Sequence, residues 1–152
     1  MRVAVLTVSD RAARGTYVDE GGPLVASLIT DAGGEIVAAK TVPDERDLIE
    51  AALIEWTDTV DVILTTGGTG LGPRDVTPEA TRAVIEREAP GIAEATRAAG
   101  LANTPFAALS RQVCGTRGRT LILNLPGAPK AARECLEPII ELLHHAVEMM
   151  QP

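Results

Sequence analysis

Short apolar runs alternate with amphipathic stretches along most of this 152-residue chain. The apolar runs are rich in Val, Ile and Leu, which is typical of strands buried on both faces, and they cover residues 3–8, 36–42, 61–65 and 121–125. Helical spacing follows each run, over residues 20–31, 44–58, 77–99 and 129–150. This alternation predicts an α/β fold with a mainly parallel central sheet and helices on both faces.

Local signals refine these elements. Thr77 and Pro78 predict a helix start with the threonine hydroxyl as N-cap. A break at Pro90 is expected to separate this helix from a short one that ends near residue 99. Pro138 is expected to kink or divide the last helix, because it removes one backbone hydrogen bond. Residues 103–119 fit neither pattern clearly, although Gly115 and Gly118 indicate a turn there.

Composition restricts the class of protein. With 45% hydrophobic and 23% charged residues, the chain is a candidate for one ordered domain over residues 1–152 rather than a disordered segment. No apolar run is long enough to span a membrane, and the first strand begins at once, so we expect a cytoplasmic protein. Cys114 and Cys135 lack metal-binding or redox spacing, and the adjacent His144 and His145 cannot form an i,i+4 metal pair.

The charge balance argues against nucleic acid as a partner. The chain carries 21 acidic against 14 basic residues, for a net charge of −7, and has one Phe, one Tyr and one Trp. Nucleic-acid binders depend on clustered cations that neutralise phosphates and often on aromatic stacking. Neither feature is present in the pattern of this sequence.

Polar residues and glycines collect at the predicted carboxyl ends of the strands, where ligands bind in open α/β sheets. Ser9 and Asp10 follow the first strand, and Asp44 follows the second. A glycine-rich loop, residues 65–75, follows the third strand, and Asn124 to Gly127 closes the fourth. One crevice at this edge of the sheet can therefore receive all four segments.

The glycine-rich loop has the strongest chemical signal. Four glycines lie within residues 67–72, so backbone N–H groups can converge on a phosphate ahead of the next helix. The competing interpretation is a strained turn that needs positive φ angles. No Gly-Lys-Ser/Thr follows, and the spacing is not GxGxxG, so the two common nucleotide-loop motifs are excluded.

Three charged residues near these segments each allow two interpretations. Asp75 can hold Mg²⁺ beside a phosphate, or it can cap the loop or pair with Arg74. For Asp44 the residues alone favour an ordinary helix N-cap over a role in the site. Lys130 lies in the first turn of a helix, where a cation opposes the helix dipole; an anionic ligand would explain it, and so would a solvated surface position.

Taken together, these motifs resemble the MogA/MoaB family of molybdenum cofactor biosynthesis proteins. The resemblance rests on VSDR at 8–11, PDE at 43–45, TTGGTG at 65–70, RDVTPE at 74–79, SRQV at 110–113 and the segment 121–138, and it spans nearly the whole chain. It implies a three-layer α/β fold, usually assembled as a trimer. Retention of PDE, RDVTP and NLPG together makes the chain resemble the Mog type more than the MoaB type.

The Mog-type resemblance implies that the chain transfers AMP from Mg-ATP to molybdopterin and releases pyrophosphate. It implies catalytic and Mg²⁺-holding roles for Asp44 and Asp75, and a further partner downstream that inserts molybdate. The substrate-binding residues it implies are Ser9, Asp10, Thr66, Gly67, Gly68, Thr69, Gly70, Ser110, Arg111, Asn124, Pro126, Gly127 and Lys130.

Two other functions stay open at this stage. The first is a non-catalytic MoaB-type trimer that binds molybdopterin without turnover, and retention of both aspartates argues against it. The second is a scaffold that uses the fold for assembly alone, and the clustered polar loops argue against that.

Overall fold

The computed structural model describes all residues from Met1 to Pro152. Its centre is a six-stranded sheet in the order β2-β1-β3-β6-β5-β4. The strands are β1 Arg2–Val8, β2 Glu35–Val42, β3 Val62–Thr66, β4 Arg87–Glu88, β5 Cys114–Arg117 and β6 Thr120–Leu125. Strands β2, β1, β3 and β6 are parallel, and the short β5 and β4 add an antiparallel edge. The predicted fold is therefore confirmed.

Seven helices surround the sheet: α1 Asp10–Ala13, α2 Gly21–Asp31, α3 Arg46–Trp56, α4 Thr77–Val84, α5 Pro90–Leu101, α6 Pro129–Leu136 and α7 Ile140–Met150. A 3₁₀ turn over Pro105–Leu109 follows α5, and another over Glu137–Ile139 separates α6 from α7. The second turn contains Pro138, so the predicted interruption of the last helix is confirmed. None of these helices combines the length and apolar content needed to cross a bilayer.

The two faces of the sheet bury two separate cores, which explains why its central strands read as continuous apolar runs. On β1, Val3 and Val5 belong to the core beneath α2, α5, α6 and α7. Ala4, Leu6 and Val8 alternate with them and belong to the core beneath α3 and α4. Both side-chain sets are almost completely excluded from solvent, so each face contributes apolar burial at about 25 cal/mol per Å².

Four sequence expectations need correction. The helix predicted over 44–58 is α3, from Arg46 to Trp56. The helix predicted from Thr77 to Pro90 ends at Val84, and residues 87–88 pair with β5 instead. The residues directly after β1, which were not assigned to a helix from the sequence, form the short helix α1. Thr77 is not an N-cap but the first residue of α4, and its hydroxyl donates to the carbonyl of Gly67 at 3.0 Å.

The topology brings the predicted site segments to one edge of the sheet. In the parallel register, Thr66 at the end of β3 lies opposite Thr7 on β1 and Leu125 on β6. The chain reverses its direction of winding between β1 and β3, since β2 lies on one side of β1 and β3 on the other. This is the switch point at which open α/β sheets bind ligands.

Candidate active site

The glycine-rich loop begins directly at the end of β3 and is shaped by two positive φ angles, +99° at Gly67 and +68° at Gly68. A Cβ atom at Gly67 would lie 2.2 Å from the carbonyl oxygen of Val8, so the loop approaches β1 too closely for any side chain. The strained-turn interpretation is therefore confirmed, because the turn needs its glycines whether or not a ligand binds there, and the phosphate-binding interpretation stays a prediction.

Four consecutive backbone N–H groups in this loop have no acceptor in the protein, those of Gly68, Thr69, Gly70 and Leu71. The neighbouring N–H groups do have acceptors: Gly67 donates to Leu125 O at 3.1 Å, and Gly72 donates to the Asp75 carboxylate at 2.9 Å. Unpaired consecutive N–H groups in a tight turn form a concavity that suits an anion such as phosphate.

Two carboxylates flank these N–H groups. The Asp44 Oδ1 atom lies 3.1 Å from where a Cβ on Gly68 would stand, and the Asp75 Oδ2 atom lies 2.9 Å from the equivalent position on Gly70. Asp75 accepts from the loop itself, so its predicted loop-capping role is borne out, but it does not pair with Arg74. The structure thus brings Asp44 and Asp75 to the same loop.

Asp44 and Asp10 lock the ends of β1 and β2 together. The Asp44 carboxylate accepts from the backbone N–H of Asp10 at 2.8 Å, and the Asp10 carboxylate accepts from the N–H of Asp44 at 2.9 Å. Asp44 is therefore not an N-cap; Glu45 occupies that position in α3 without a side-chain cap. This pairing is long-range, which is why the local sequence favoured the wrong interpretation.

Electrostatics separate these two carboxyl groups. Burial raises the pKa of Asp44, and the negative charges of Asp10 and Asp75 raise it further. Arg74 has the opposite effect on Asp10, because its guanidinium donates to both Asp10 oxygens, at 3.0 and 3.1 Å, and lowers the pKa of that group. Asp44 is thus a half-buried carboxylate that a cation would stabilise.

The nearby arginines are already occupied. Arg74 spans from Asp10 to Glu45, where the distance is 2.8 Å. Arg111 donates to the carbonyl of Gly70 at 2.8 Å, to the carbonyl of Asp75 at 2.7 Å, and to the carboxylate of Glu79. The guanidinium of Arg111 thus fastens both ends of the loop segment 70–75, and its role as a ligand contact stays a prediction.

An open cleft of about 360 Å³ adjoins the loop between β1 and β6. Its lining includes Ser9, Thr66, Gly67 and Gly127, all expected from the sequence. Ser9 caps α1 by accepting from Ala12 at 3.2 Å, and Thr66 donates to the carbonyl of Pro126 at 2.8 Å. The volume of the cleft lies within the range of small-molecule binding sites.

Two residues of this cleft, Tyr17 and Asp19, were missed from the sequence. Arg11 stacks on the ring of Tyr17 at 4.5 Å, and Asp19 accepts from Thr7 at 2.7 Å and from Gly22 at 3.0 Å. The Asp19 contact to Gly22 is a recognisable helix-start pattern, an aspartate three residues before the N–H that it caps. The stacking of Arg11 on Tyr17 leaves no such local signal.

Two of the predicted residues, Asn124 and Lys130, lie away from this cleft. Asn124 is fully buried, and its side chain bonds to Thr65, Thr81 and the N–H of Val113. Lys130 is in the first turn of α6 as predicted, but its side chain is 89% exposed and lies 3.8 Å from Glu134. Asn124 therefore supports the site from within the core, and Lys130 reaches into solvent.

Ser110 and Pro126 line a different pocket, on the far side of the Pro126–Gly127 turn. Ser110 donates to the side chain of Gln112 at 2.8 Å.

Cys114 is buried, and burial raises the pKa of its thiol to about 12. A thiol with that pKa stays protonated near neutral pH, so Cys114 is no candidate nucleophile.

Comparison with known proteins gives a consistent result. The chain is 42% identical to a molybdopterin adenylyltransferase of Helicobacter pylori strain J99 over 159 residues, covering 99% of this chain and 88% of that protein. It is 47% identical to the molybdenum cofactor synthesis protein cinnamon of Drosophila melanogaster over 150 residues, but it spans only 25% of that longer protein.

A solved structure agrees with the sequence relatives. The molybdopterin biosynthesis enzyme MoaB from Thermus thermophilus is 51% identical and superposes with a TM-score of 0.93, covering 98% of this chain and 95% of that one. The family model described as "Probable molybdopterin binding domain" matches residues 4–145. The resemblance drawn from the sequence motifs is confirmed, and the chain belongs to this molybdopterin-binding family.

Proposed function

We propose that this protein is a molybdopterin adenylyltransferase, which transfers AMP from ATP to the phosphate of molybdopterin. The observation that carries the proposal is the run of unpaired N–H groups from Gly68 to Leu71 between the carboxylates of Asp44 and Asp75. Relatives that bear this activity in their name cover nearly the whole chain. The pocket thus suits a reaction in which several phosphates meet.

We assign Asp44 and Asp75 to Mg²⁺ as part of this proposal. Mg²⁺ in such enzymes is held by one or two carboxylates together with substrate phosphates, so the two aspartates suffice as a protein donor set. The raised pKa of Asp44 supports the fit, since a cation would offset the negative charges of Asp10 and Asp75. When bound, Mg²⁺ would supply positive charge to the phosphates, which neither Arg74 nor Arg111 is free to do.

The reaction needs no nucleophile from the protein. An ionised phosphate oxygen of molybdopterin forms the new bond to the α-phosphorus of ATP, and the bond to the β-phosphate oxygen breaks, with its electron pair leaving on pyrophosphate. Protein catalysis of this kind depends on positioning and on charge stabilisation. The loop N–H groups hold phosphate oxygens, and Arg111 keeps the loop and Asp75 in place.

Incubation with molybdopterin and Mg-ATP tests the proposal. We expect pyrophosphate and adenylylated molybdopterin to appear in equal amounts. The alternative is a MoaB-type protein that binds molybdopterin without turnover. We retain this alternative because the similar Thermus structure is named MoaB. Tight molybdopterin binding with no pyrophosphate release would favour that alternative.

Three further assignments belong to the same proposal. The protein forms a homotrimer, acts in the cytoplasm as one domain over residues 1–152, and passes its product to a molybdate-inserting partner. The trimer follows from the family resemblance and from exposed apolar side chains such as Leu101 and Leu109. Light scattering at micromolar concentration should give three times the chain mass of 15.9 kDa, and a monomer would contradict it.

A further inference from the structure

Arg11 is the cation that lines the open cleft beside the glycine-rich loop. No other arginine and no lysine belongs to the lining of this cleft. The guanidinium of Arg11 donates to no protein oxygen and takes part in no ion pair, whereas Arg74 and Arg111 are both engaged. The cleft therefore contains a positive charge that the protein itself does not neutralise.

The local fold holds Arg11 in one place. Gly15 turns the chain back after α1 with a φ angle of +76°. Thr16 then donates its N–H group, at 3.0 Å, and its hydroxyl, at 3.1 Å, to the carbonyl oxygen of Arg11. This turn places the ring of Tyr17 under the guanidinium, with 4.5 Å between the ring centroid and the Arg11 Cζ atom. The stacked pair is therefore built by the backbone.

Stacking on tyrosine leaves the arginine donors available. A guanidinium carries its five N–H donors in its own plane, so a ring against its face leaves the edge free. The one carboxylate in the lining, that of Asp19, accepts from Thr7 at 2.7 Å and from Gly22 at 3.0 Å and forms no ion pair with Arg11. The free edge and the free charge both suit phosphate oxygens, which arginine binds in pairs.

We infer that Arg11 binds the phosphates of the nucleotide and that Tyr17 is its positioning residue, an inference that rests on the proposed function. Of the two anionic substrates, ATP carries the larger charge and gains more from a cation. Gly67 belongs to the lining of the cleft and directly precedes the unpaired N–H groups of residues 68–71. Phosphates that extend from these N–H groups into the cleft therefore reach Arg11.

The reaction gives Arg11 a role that Mg²⁺ alone does not fill. A single Mg²⁺ offsets part of the charge of ATP, and the net charge of the chain is −7. During transfer, the electron pair of the broken bond leaves on pyrophosphate, so negative charge grows there. A cation held in position beside that charge stabilises the transition state. We therefore expect Arg11 to contribute to kcat as well as to nucleotide affinity.

Calorimetry with Mg²⁺ and α,β-methylene-ATP, which cannot be cleaved between its α- and β-phosphates, tests the assignment. We expect Arg11→Met to raise the Kd for this analogue at least tenfold. Arg11→Lys should raise it less than threefold, because lysine keeps the charge and can satisfy a phosphate. Arg14→Met is the matched control, since Arg14 caps the end of the same helix, is exposed and does not line the cleft. It should leave the Kd within twofold.

Tyr17 is tested through Arg11. Tyr17→Phe keeps the ring and should leave the Kd for the analogue within twofold, whereas Tyr17→Leu should raise it at least fivefold. In the Arg11→Met background, Tyr17→Leu should cause no further loss, because a positioning residue acts only through its partner. A loss of the same size in that background would show that Tyr17 does not act through Arg11.

The outcomes separate this inference from the proposed function. The Kd for molybdopterin should stay within twofold in every variant. Unchanged nucleotide affinity in folded Arg11→Met would overturn the inference, and so would a loss of molybdopterin affinity instead; both results leave the transferase function intact. If Arg11→Met weakens binding of the analogue but the parental protein releases no pyrophosphate from molybdopterin and Mg-ATP, the assignment of Arg11 stands and the proposed reaction fails.

Discussion

At the scale of single residues, the charged side chains of the site have two roles. Some lie where they can bind a metal ion, and others hold the glycine-rich loop in position. Arg74 and Arg111 both adjoin the glycine-rich loop, and both donate to protein oxygens. The carboxylates of Asp44 and Asp75 lie beside the unpaired N–H groups. Apart from Arg11 in the open cleft, anionic substrates therefore depend on backbone N–H groups and on a cation that binds together with them.

The aspartates give the first prediction. Asp44→Asn and Asp75→Asn should each reduce adenylyl transfer at least about tenfold, or roughly 1.4 kcal/mol of transition-state stabilisation. Asparagine keeps the size and one oxygen, so the backbone contact of Asp44 to Asp10 is retained. Pyrophosphate release measures the rate, and molybdopterin binding without ATP should persist. Parental turnover in both variants would remove these residues from the reaction.

Arg111 gives a second prediction, because a loop clamp and a phosphate ligand respond differently to lysine. Lysine supplies a point charge and satisfies phosphate, but it cannot reproduce the fork that reaches Gly70, Asp75 and Glu79 together. We expect Arg111→Lys and Arg111→Met to lose kcat alike, by about tenfold, with the KM for ATP changed less than threefold.

Steady-state kinetics of both Arg111 variants distinguish a loop clamp from a phosphate ligand. The exposed Arg133 serves as control, since Arg133→Met should leave kcat unchanged. Recovery of activity in Arg111→Lys alone would instead make Arg111 a direct phosphate contact, as the sequence suggested.

At the scale of elements, the loop after β3 and the start of α4 form one unit. Thr77 donates its hydroxyl to the carbonyl of Gly67 and its N–H to the carbonyl of Gly68. A Cβ at Gly68 would lie 2.3 Å from the Thr77 hydroxyl oxygen, and the φ angle there is +68°. Gly68 is thus required for the fold as well as for any approach of phosphate.

Gly68→Ala should therefore destabilise the protein by more than its φ angle alone explains. A non-glycine residue at such an angle costs about 1–3 kcal/mol. Gly33 is the matched control, since its φ is +84° and a Cβ there meets no atom within 4 Å. Urea unfolding of both variants should show the larger loss for Gly68→Ala, and equal losses would mean that the loop yields to the extra methyl group.

The same scale explains what could be predicted from the sequence. Strands β1, β3 and β6 are buried on both faces, so their apolar runs were unmistakable. Strand β4 consists of the exposed Arg87 and Glu88 and has no apolar signal. The glycine-rich loop and its two aspartates were identified from motifs, but Arg74 finds its partner Asp10 64 positions away. Contacts between residues so far apart in the sequence produce no periodic pattern from which they could be predicted.

At the scale of the whole molecule, the net charge of −7 opposes two anionic substrates. A site that relied on free lysines and arginines would lose affinity steeply as salt screens it. This chain has two lysines, and one of them, Lys40, pairs with Glu55 at 2.9 Å. Anion binding must therefore overcome a repulsive field rather than exploit an attractive one.

The last prediction concerns salt. Screening shortens the reach of the field from about 30 Å at 0.01 M salt to about 8 Å at 0.15 M. Repulsion should weaken over that range, so the affinity for ATP without a divalent ion should rise or stay level. The affinity for Mg-ATP should change less than about twofold, since the metal offsets much of the charge. Calorimetric titration at several potassium chloride concentrations measures both, and a steep fall in affinity with salt would reveal a cationic patch that dominates binding.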